Sequence, residues 1–210
     1  QKAFMEVDNN KLQPAEMDGL KVVSFGFFAE QAHQAAIYRG PIISGILKQF
    51  LVDTNWSNLD YLIVDLPPGT GDIPLTLAQT IPITGIVVVT TPQEVASNVA
   101  VKALGMFEKL NIDIIGIIEN MSYFKCGSCS TRHSLFGEGG GKALAKKFNT
   151  ELLSQIPLVS QVREGGDEGR PIVLREPESE VALVFRDLAR KVAQQVSILE
   201  NQNIDPSQIV

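Results

Sequence analysis

Two cysteines are present in the 210 residues, close together in Cys126-Gly127-Ser128-Cys129. Two thiolates at this spacing can chelate one soft metal centre. A thioredoxin-like redox pair is a competing reading, but such a pair sits at a helix N-terminus after a strand. The neighbours here are Gly, Ser and Thr, with no helix start. A zinc half-site and an inert structural pair remain, the latter disfavoured by the loop-like surroundings. Zinc sites and iron–sulfur clusters usually take four protein ligands. His133 is near and His33 remote, and neither completes a familiar four-ligand spacing. The simplest completion is symmetric: two chains each contribute Cys126 and Cys129 across a two-fold axis. The expectation is a homodimer bridged by one metal centre, easily released when the interface moves.

A second segment with chemical potential is the apolar run Leu62-Ile63-Val64 that ends in Asp65. A carboxylate at the end of such a strand suits a hard cation, which prefers charged oxygen ligands. In P-loop nucleotidases a residue so placed serves the Mg²⁺ of the nucleotide. The bland alternative is that Asp65 caps the following helix or merely ends a strand. The continuation Leu66-Pro67-Pro68-Gly69-Thr70-Gly71-Asp72 favours the functional reading. Two prolines stiffen the loop, and its glycines let backbone approach a phosphate closely. Such a loop could sense a γ-phosphate and move on hydrolysis.

The elements that must position these residues alternate between apolar, β-branched runs and helical patterns. Strands are expected at 20–25, 59–66, 85–91, 112–119 and 152–156, and helices at 41–52, 73–79, 94–110, 142–148 and 178–199. Near-continuous apolar strands indicate a parallel sheet covered on both faces. The expected fold is therefore α/β, three-layered, with a mostly parallel sheet and helices on both faces. Ligands in such sheets bind beyond the carboxyl ends of the strands. Residues 123–141 read as a Gly-, Ser- and Cys-rich insertion, and 158–178 as a long charged loop. One domain is expected over 1–200, with a poorly ordered tail at 201–210.

Composition excludes several classes. Apolar residues make up 44% and charged residues 20%, ordinary for a globular domain. A net charge of −6 without a basic cluster argues against nucleic-acid binding. No apolar run is long enough to span a bilayer, and Gln1-Lys2-Ala3-Phe4 carries no signal-peptide pattern. Two cysteines make no disulfide framework and point to a reducing compartment. A cytoplasmic location is expected, or an organelle stroma or matrix.

The segment Asp65-Leu66-Pro67-Pro68-Gly69-Thr70-Gly71-Asp72 resembles the switch II region of the Mrp/ApbC family, iron–sulfur cluster carrier ATPases of the MinD-like P-loop class. Further matches follow in family order: Arg39-Gly40-Pro41, Thr90-Thr91-Pro92-Gln93, Glu119-Asn120-Met121-Ser122, Phe136-Gly137-Glu138-Gly139-Gly140-Gly141 and Ile156-Pro157-Leu158. The resemblance covers residues 20–196. It implies a MinD-like P-loop NTPase fold, with ATP, Mg²⁺ and a [4Fe–4S] cluster as ligands. It implies Asp65 as the catalytic Mg²⁺-serving residue and Pro67 and Gly69 at the γ-phosphate. Asn120 and Pro157 would sit at the base, and Cys126 and Cys129 would be the cluster ligands. The family pattern usually has Pro inside the cysteine motif, where Gly127-Ser128 stands here. ATP binding and hydrolysis would gate transfer of the cluster to apo-protein acceptors.

The P-loop signature Gly-x-x-x-x-Gly-Lys-[Ser/Thr] is absent from the 210 residues. Gly139-Gly140-Gly141-Lys142 fails as a substitute, because Phe136 and Ala143 occupy two signature positions. That segment reads instead as a flexible turn feeding a short helix. The resemblance places the first strand, P-loop and switch I N-terminal to Gln1, so the expectation is that the sequence lacks them and is inactive alone as an ATPase. Two other functions stay open. One is a non-catalytic scaffold binding zinc or a cluster. The other is a MinD-like positioning ATPase, disfavoured because residues 197–210 carry no Lys or Arg for a basic membrane-binding tail.

Overall fold

The computed structural model describes residues 7–8, 11–27, 40–66 and 71–203. The chain divides into two compact units, Gln1–Pro82 and Ile83–Val210.

The first unit holds two short antiparallel pairs and two helices. β1 (Val7–Asp8) pairs with β2 (Lys11–Leu12), and β3 (Ala15–Met17) with β4 (Leu20–Val22). Asp18 (φ 51°) and Gly19 (φ 81°) close the second hairpin, the left-handed pair that a two-residue turn needs. The strand expected at 20–25 is thus a hairpin arm three residues long. α1 (Gly40–Val52) and α2 (Asp72–Thr80) are joined by a hydrogen bond from Thr76 Oγ1 to Ser44 Oγ at 3.0 Å.

The strand expected at 59–66 is not formed: residues 61–66 run as irregular chain. Tyr61, Leu62 and Ile63 are exposed, Ile63 at 89%. The physical reason is that an apolar run becomes a strand only beside a neighbour that completes its ladder. Among the described residues no strand pairs with it.

The second unit is a three-layer α/β body. Its sheet is parallel, in the order β5 (Ile86–Thr90), β6 (Ile114–Glu119), β9 (Leu152–Gln155). α3 (Glu94–Lys109) and α4 (Gly140–Lys147) cover one face through Ala100, Leu104, Leu144 and Ala145, packed with Ile117. α7 (Glu180–Asn203) covers the other through Leu188, packed with Ile115, Ile118, Leu153 and Ile156. Glu94 in the first turn of α3 and Lys109 in its last complement the helix dipole. Asn111, at φ 54°, ends that helix in the left-handed conformation. α7 runs through Asn203, past the expected start of the tail, and residues 204–210 lie outside those described.

β6 does not keep a simple two-residue alternation. Ile86 pairs with Ile114 but Val87 pairs with Gly116, leaving Ile115 as an extra residue. This bulge reverses the phase, so Ile114 and Ile117 face α3 and α4 while Ile115 and Ile118 face α7. Gly116 sits at the reversal, where a Cβ would lie 2.5 Å from Leu153 Cγ. Leu153, fully buried, fills that space.

The stretch 158–178, expected as a loop, contains α5 (Ser160–Asp167) and α6 (Ile172–Arg175). Its charged residues concealed an apolar set: Val159, Val162 and Val173 pack with Ile172, Val181 and Ala182. Gly165 permits the tight α5–α6 join, since a Cβ there would meet Arg170 O at 2.6 Å. Residues 123–141 hold a hairpin of β7 (Phe124–Lys125) and β8 (Arg132–His133) before α4 begins.

Leu153→Ala is expected to lower the unfolding free energy by about 2–5 kcal/mol, read as an earlier urea midpoint with an unchanged slope. An unchanged midpoint would show that the β6–β9–α7 contact is not the core of this unit.

Candidate functional site

The cysteines stand on the loop between β7 and β8. The Cys126 amide donates to Thr131 O at 3.0 Å and the Ser130 amide to Cys126 O at 2.9 Å. Ser130, at φ 56°, turns the chain back. Cys126 is half-buried and Cys129 exposed, both as free thiols. Cys129 Sγ lies 3.3 Å from Thr131 Oγ1. Hydrogen bonding with the Thr131 side chain and backbone, then with the Cys126 thiol, holds the Cys129 thiol below the ordinary cysteine range. The thiolate is the metal-binding form.

Charged and aromatic groups flank the pair. Lys125 Nζ is 2.6 Å from Glu180 Oε2 at the start of α7. The Arg132 guanidinium stands 4.3 Å above the centre of the Tyr123 ring. His133 lies across the hairpin from Phe124, its ring centre 6.5 Å away. Among the described residues no group of three or more His, Cys, Asp or Glu is gathered to hold a metal. One chain therefore offers two thiol ligands here.

The loops expected to hold a nucleotide base adjoin this hairpin within the same unit. The Asn120 amide donates to Thr90 O at 2.7 Å, fixing it beside the end of β5. Asn120 Oδ1 accepts from the Met121 amide at 2.9 Å. Ile156 N donates to Glu119 O, Ser122 N to Ile156 O, and Leu158 N to Tyr123 O, at 2.8–2.9 Å. This ladder flanks Pro157, which is itself buried, and continues into β7 through a bridge between Phe124 and Leu158. Asp65 is exposed and belongs to the first unit. Pro67 and Gly69 lie outside the described residues.

Sequence pattern alone assigns Glu119 no role of its own. Its side chain is 1% exposed at the C-terminal end of β6. Oε1 accepts from Ser122 Oγ at 2.6 Å and Gln155 Nε2 at 2.8 Å. Oε2 accepts from the Gly141 amide at 2.6 Å. Burial pushes the carboxyl pKa upward, but the hydrogen bonds from Ser122, Gln155 and Gly141 outweigh it and hold the group below the ordinary glutamate value. The available signal was a lone acid closing an apolar run with a glycine cluster downstream. Gly140 and Gly141 of that cluster are tightly packed. Gly139 (φ 79°) precedes α4, and a Cβ on Gly140 would meet Pro92 O at 2.5 Å. On Gly141 a Cβ would meet Glu119 Oε2 at 2.9 Å.

A family profile described as ParA, NUBPL iron-transfer P-loop NTPase, matches residues 1–193. A Haemophilus influenzae protein described as an iron-sulfur cluster carrier protein is 44% identical over 97% of this chain and 54% of its own length. The chain thus spans about half the length of that relative. A nucleotide-binding protein from Archaeoglobus fulgidus, solved in complex with ADP and with cobalt found, superposes with a TM-score of 0.68 at 38% identity. The match covers 84% of this chain and 68% of that one. The Aquifex aeolicus MinC:MinD cell division complex gives a TM-score of 0.53 at 18% identity, over 76% of this chain and 60% of that one, a likeness of fold alone.

Glu119→Gln is expected to cost about 1–3 kcal/mol at neutral pH, because an amide offers donors where Gln155 and Gly141 also donate. A depressed native pKa gives stability that is present above the unfolded value and lost as pH falls through the native one. Denaturant titrations from pH 7 downward should therefore converge for the two proteins below the ordinary glutamate range. Parallel curves at every pH would mean that Glu119 is not buried as a carboxylate.

Proposed function

The chain belongs to the NUBPL iron-transfer P-loop NTPase family, and on that footing we propose that it carries an iron–sulfur cluster for delivery to apo-protein acceptors. The observation that carries the proposal is the hairpin loop presenting Cys126 and Cys129 as two free thiols. The cargo is a [4Fe–4S] cluster held between two copies of the chain. Each copy supplies two thiolates, which together make the usual four-ligand set. A cluster shared across an interface is released when the two copies separate or rotate. The description of the Haemophilus influenzae relative as a cluster carrier supports the same reading.

The nucleotide half of the function is ATP binding and hydrolysis to ADP and phosphate, which gates the dimer geometry. Asp65 would serve Mg²⁺ as the catalytic acidic residue, and Pro67 and Gly69 would report on the γ-phosphate. Asn120, whose amide can both donate and accept, would meet the base beside Pro157. The ADP-bound Archaeoglobus fulgidus protein supports nucleotide as the ligand class. The reducing cytoplasm suits free thiols, and no described helix is long and apolar enough to cross a membrane. A second reading, a metal-binding scaffold without turnover, would need only the two thiols that the hairpin presents.

Anaerobic reconstitution with iron and sulfide tests the proposal directly. The expected product is brown, has the mass of a dimer, and holds one cluster per dimer. Cys126→Ala and Cys129→Ala should each abolish the colour. A colourless protein that takes up zinc instead supports the scaffold. Colour that survives both substitutions rules out the cysteine hairpin as the cluster site.

A further inference from the structure

The cysteine hairpin cannot set its own geometry. Its two strands share only two residue pairs, Phe124 with His133 and Lys125 with Arg132, and an isolated two-stranded ribbon of that length is not stable in water. The side-chain ties along it are exposed. Lys125 and Glu180 are 41% and 57% accessible, and ion pairs so placed contribute little. The separation and direction of the two thiols must therefore be fixed where the hairpin joins the body of the unit.

That junction is built around one side chain. Ser122, two residues before β7, donates its hydroxyl to Glu119 Oε1, and Gly141, eight residues after β8 in the first turn of α4, donates its amide to Glu119 Oε2. Gln155 Nε2 adds a bond from the end of β9 and also contacts Ser122 Oγ at 3.1 Å. The two oxygens of one buried carboxylate thus hold both ends of the excursion that carries Cys126 and Cys129. We infer that Glu119 is the positioning residue of the cysteine hairpin, clamping its two ends together so that the thiols meet a metal in a preset arrangement. The absence of a side chain at Gly141 is part of the device, because a Cβ there would press on Glu119 Oε2. The backbone ladder from Glu119 to Leu158 extends the clamp to the start of β7. The inference rests on the hairpin being the cargo site, but the clamp itself acts on the metal-free chain.

Two measurements on the full reduced chain separate these points. The first is amide hydrogen exchange without metal, comparing Cys126 and Leu158 with core amides such as Ile117. Glu119→Gln should speed exchange at the first two by tenfold or more, about one free-energy step of a broken buried hydrogen bond, beyond any change at Ile117, which reads the overall loss of stability. The second is titration with cobalt alone, followed by its thiolate charge-transfer absorbance. Cobalt should bind about tenfold more weakly to Glu119→Gln, the lower end of losses seen for outer-shell changes. Val101→Ala, a core truncation on α3, should bind it as the unaltered chain does. Ser122→Ala, which removes one donor only, should give a smaller change in the same direction and replaces Glu119→Gln if that variant does not fold. Unchanged exchange at Cys126 and Leu158, or loss of protection spread equally over Ile117, overturns the clamp. A normal clamp result in a chain that takes up no cobalt leaves the clamp standing and removes the cargo reading.

Discussion

A carboxylate withdrawn from water must be met by hydrogen-bond donors, because an unpaired buried charge costs several kcal/mol. Glu119 stands at the end of the middle strand of its sheet, and its donors come from three directions: Ser122, Gln155 and the Gly141 amide. Satisfying that one group dictates much nearby. Residue 141 has no room for a side chain, β9 must end with Gln155 turned toward β6, and the chain between 122 and 141 must leave and return at the same place. The excursion between those points contains both cysteines of the protein. A local electrostatic requirement thereby becomes the boundary condition of the cysteine hairpin.

The strand that delivers Glu119 is itself adjusted to its surroundings. One extra residue at Ile115 reverses the side-chain phase of β6, so that isoleucines close in sequence supply opposite cores. Gly116 makes the reversal possible by leaving space for Leu153. The same strand then ends with Asn120 tied to β5 through Thr90 O, and with Glu119 O tied to β9 through Ile156 N. Packing in the middle of the sheet and placement of the loops at its carboxyl end are therefore one problem, solved by one register.

The chemistry assigned to this chain falls in both of its compact units. Asp65 lies in the first, while Asn120, Pro157 and the cysteines lie in the second. Within the second, the Asn120 and Pro157 loops and the cysteine hairpin share the backbone ladder from Glu119 to Leu158. A ligand that ordered Asn120 or the Pro157 turn would act on residues hydrogen-bonded directly to the start of β7. That continuity is the physical basis on which nucleotide state and cluster release could be linked, through a packed element shared by two sites.

Local pattern alone determined the α/β class, the strands at 86–90, 114–119 and 152–155, and the helices beginning near 40, 72, 94, 140 and 180. Apolar periodicity is a short-range property, so these elements could be read directly. The cysteine pair was visible as a candidate ligand pair, because its close spacing needs no fold to be recognised. Tertiary structure decided the rest. The apolar run at 59–66 was not a strand, since a strand exists only with a neighbour to bond. The charged stretch at 158–178 became α5 and α6, because its few valines and Ile172 found a shared core with α7. Glu119 appeared in the sequence as one acid at a strand end. Its role depends on donors at 122, 141 and 155, which only the folding of β6, α4 and β9 brings within hydrogen-bond reach of a single buried carboxylate.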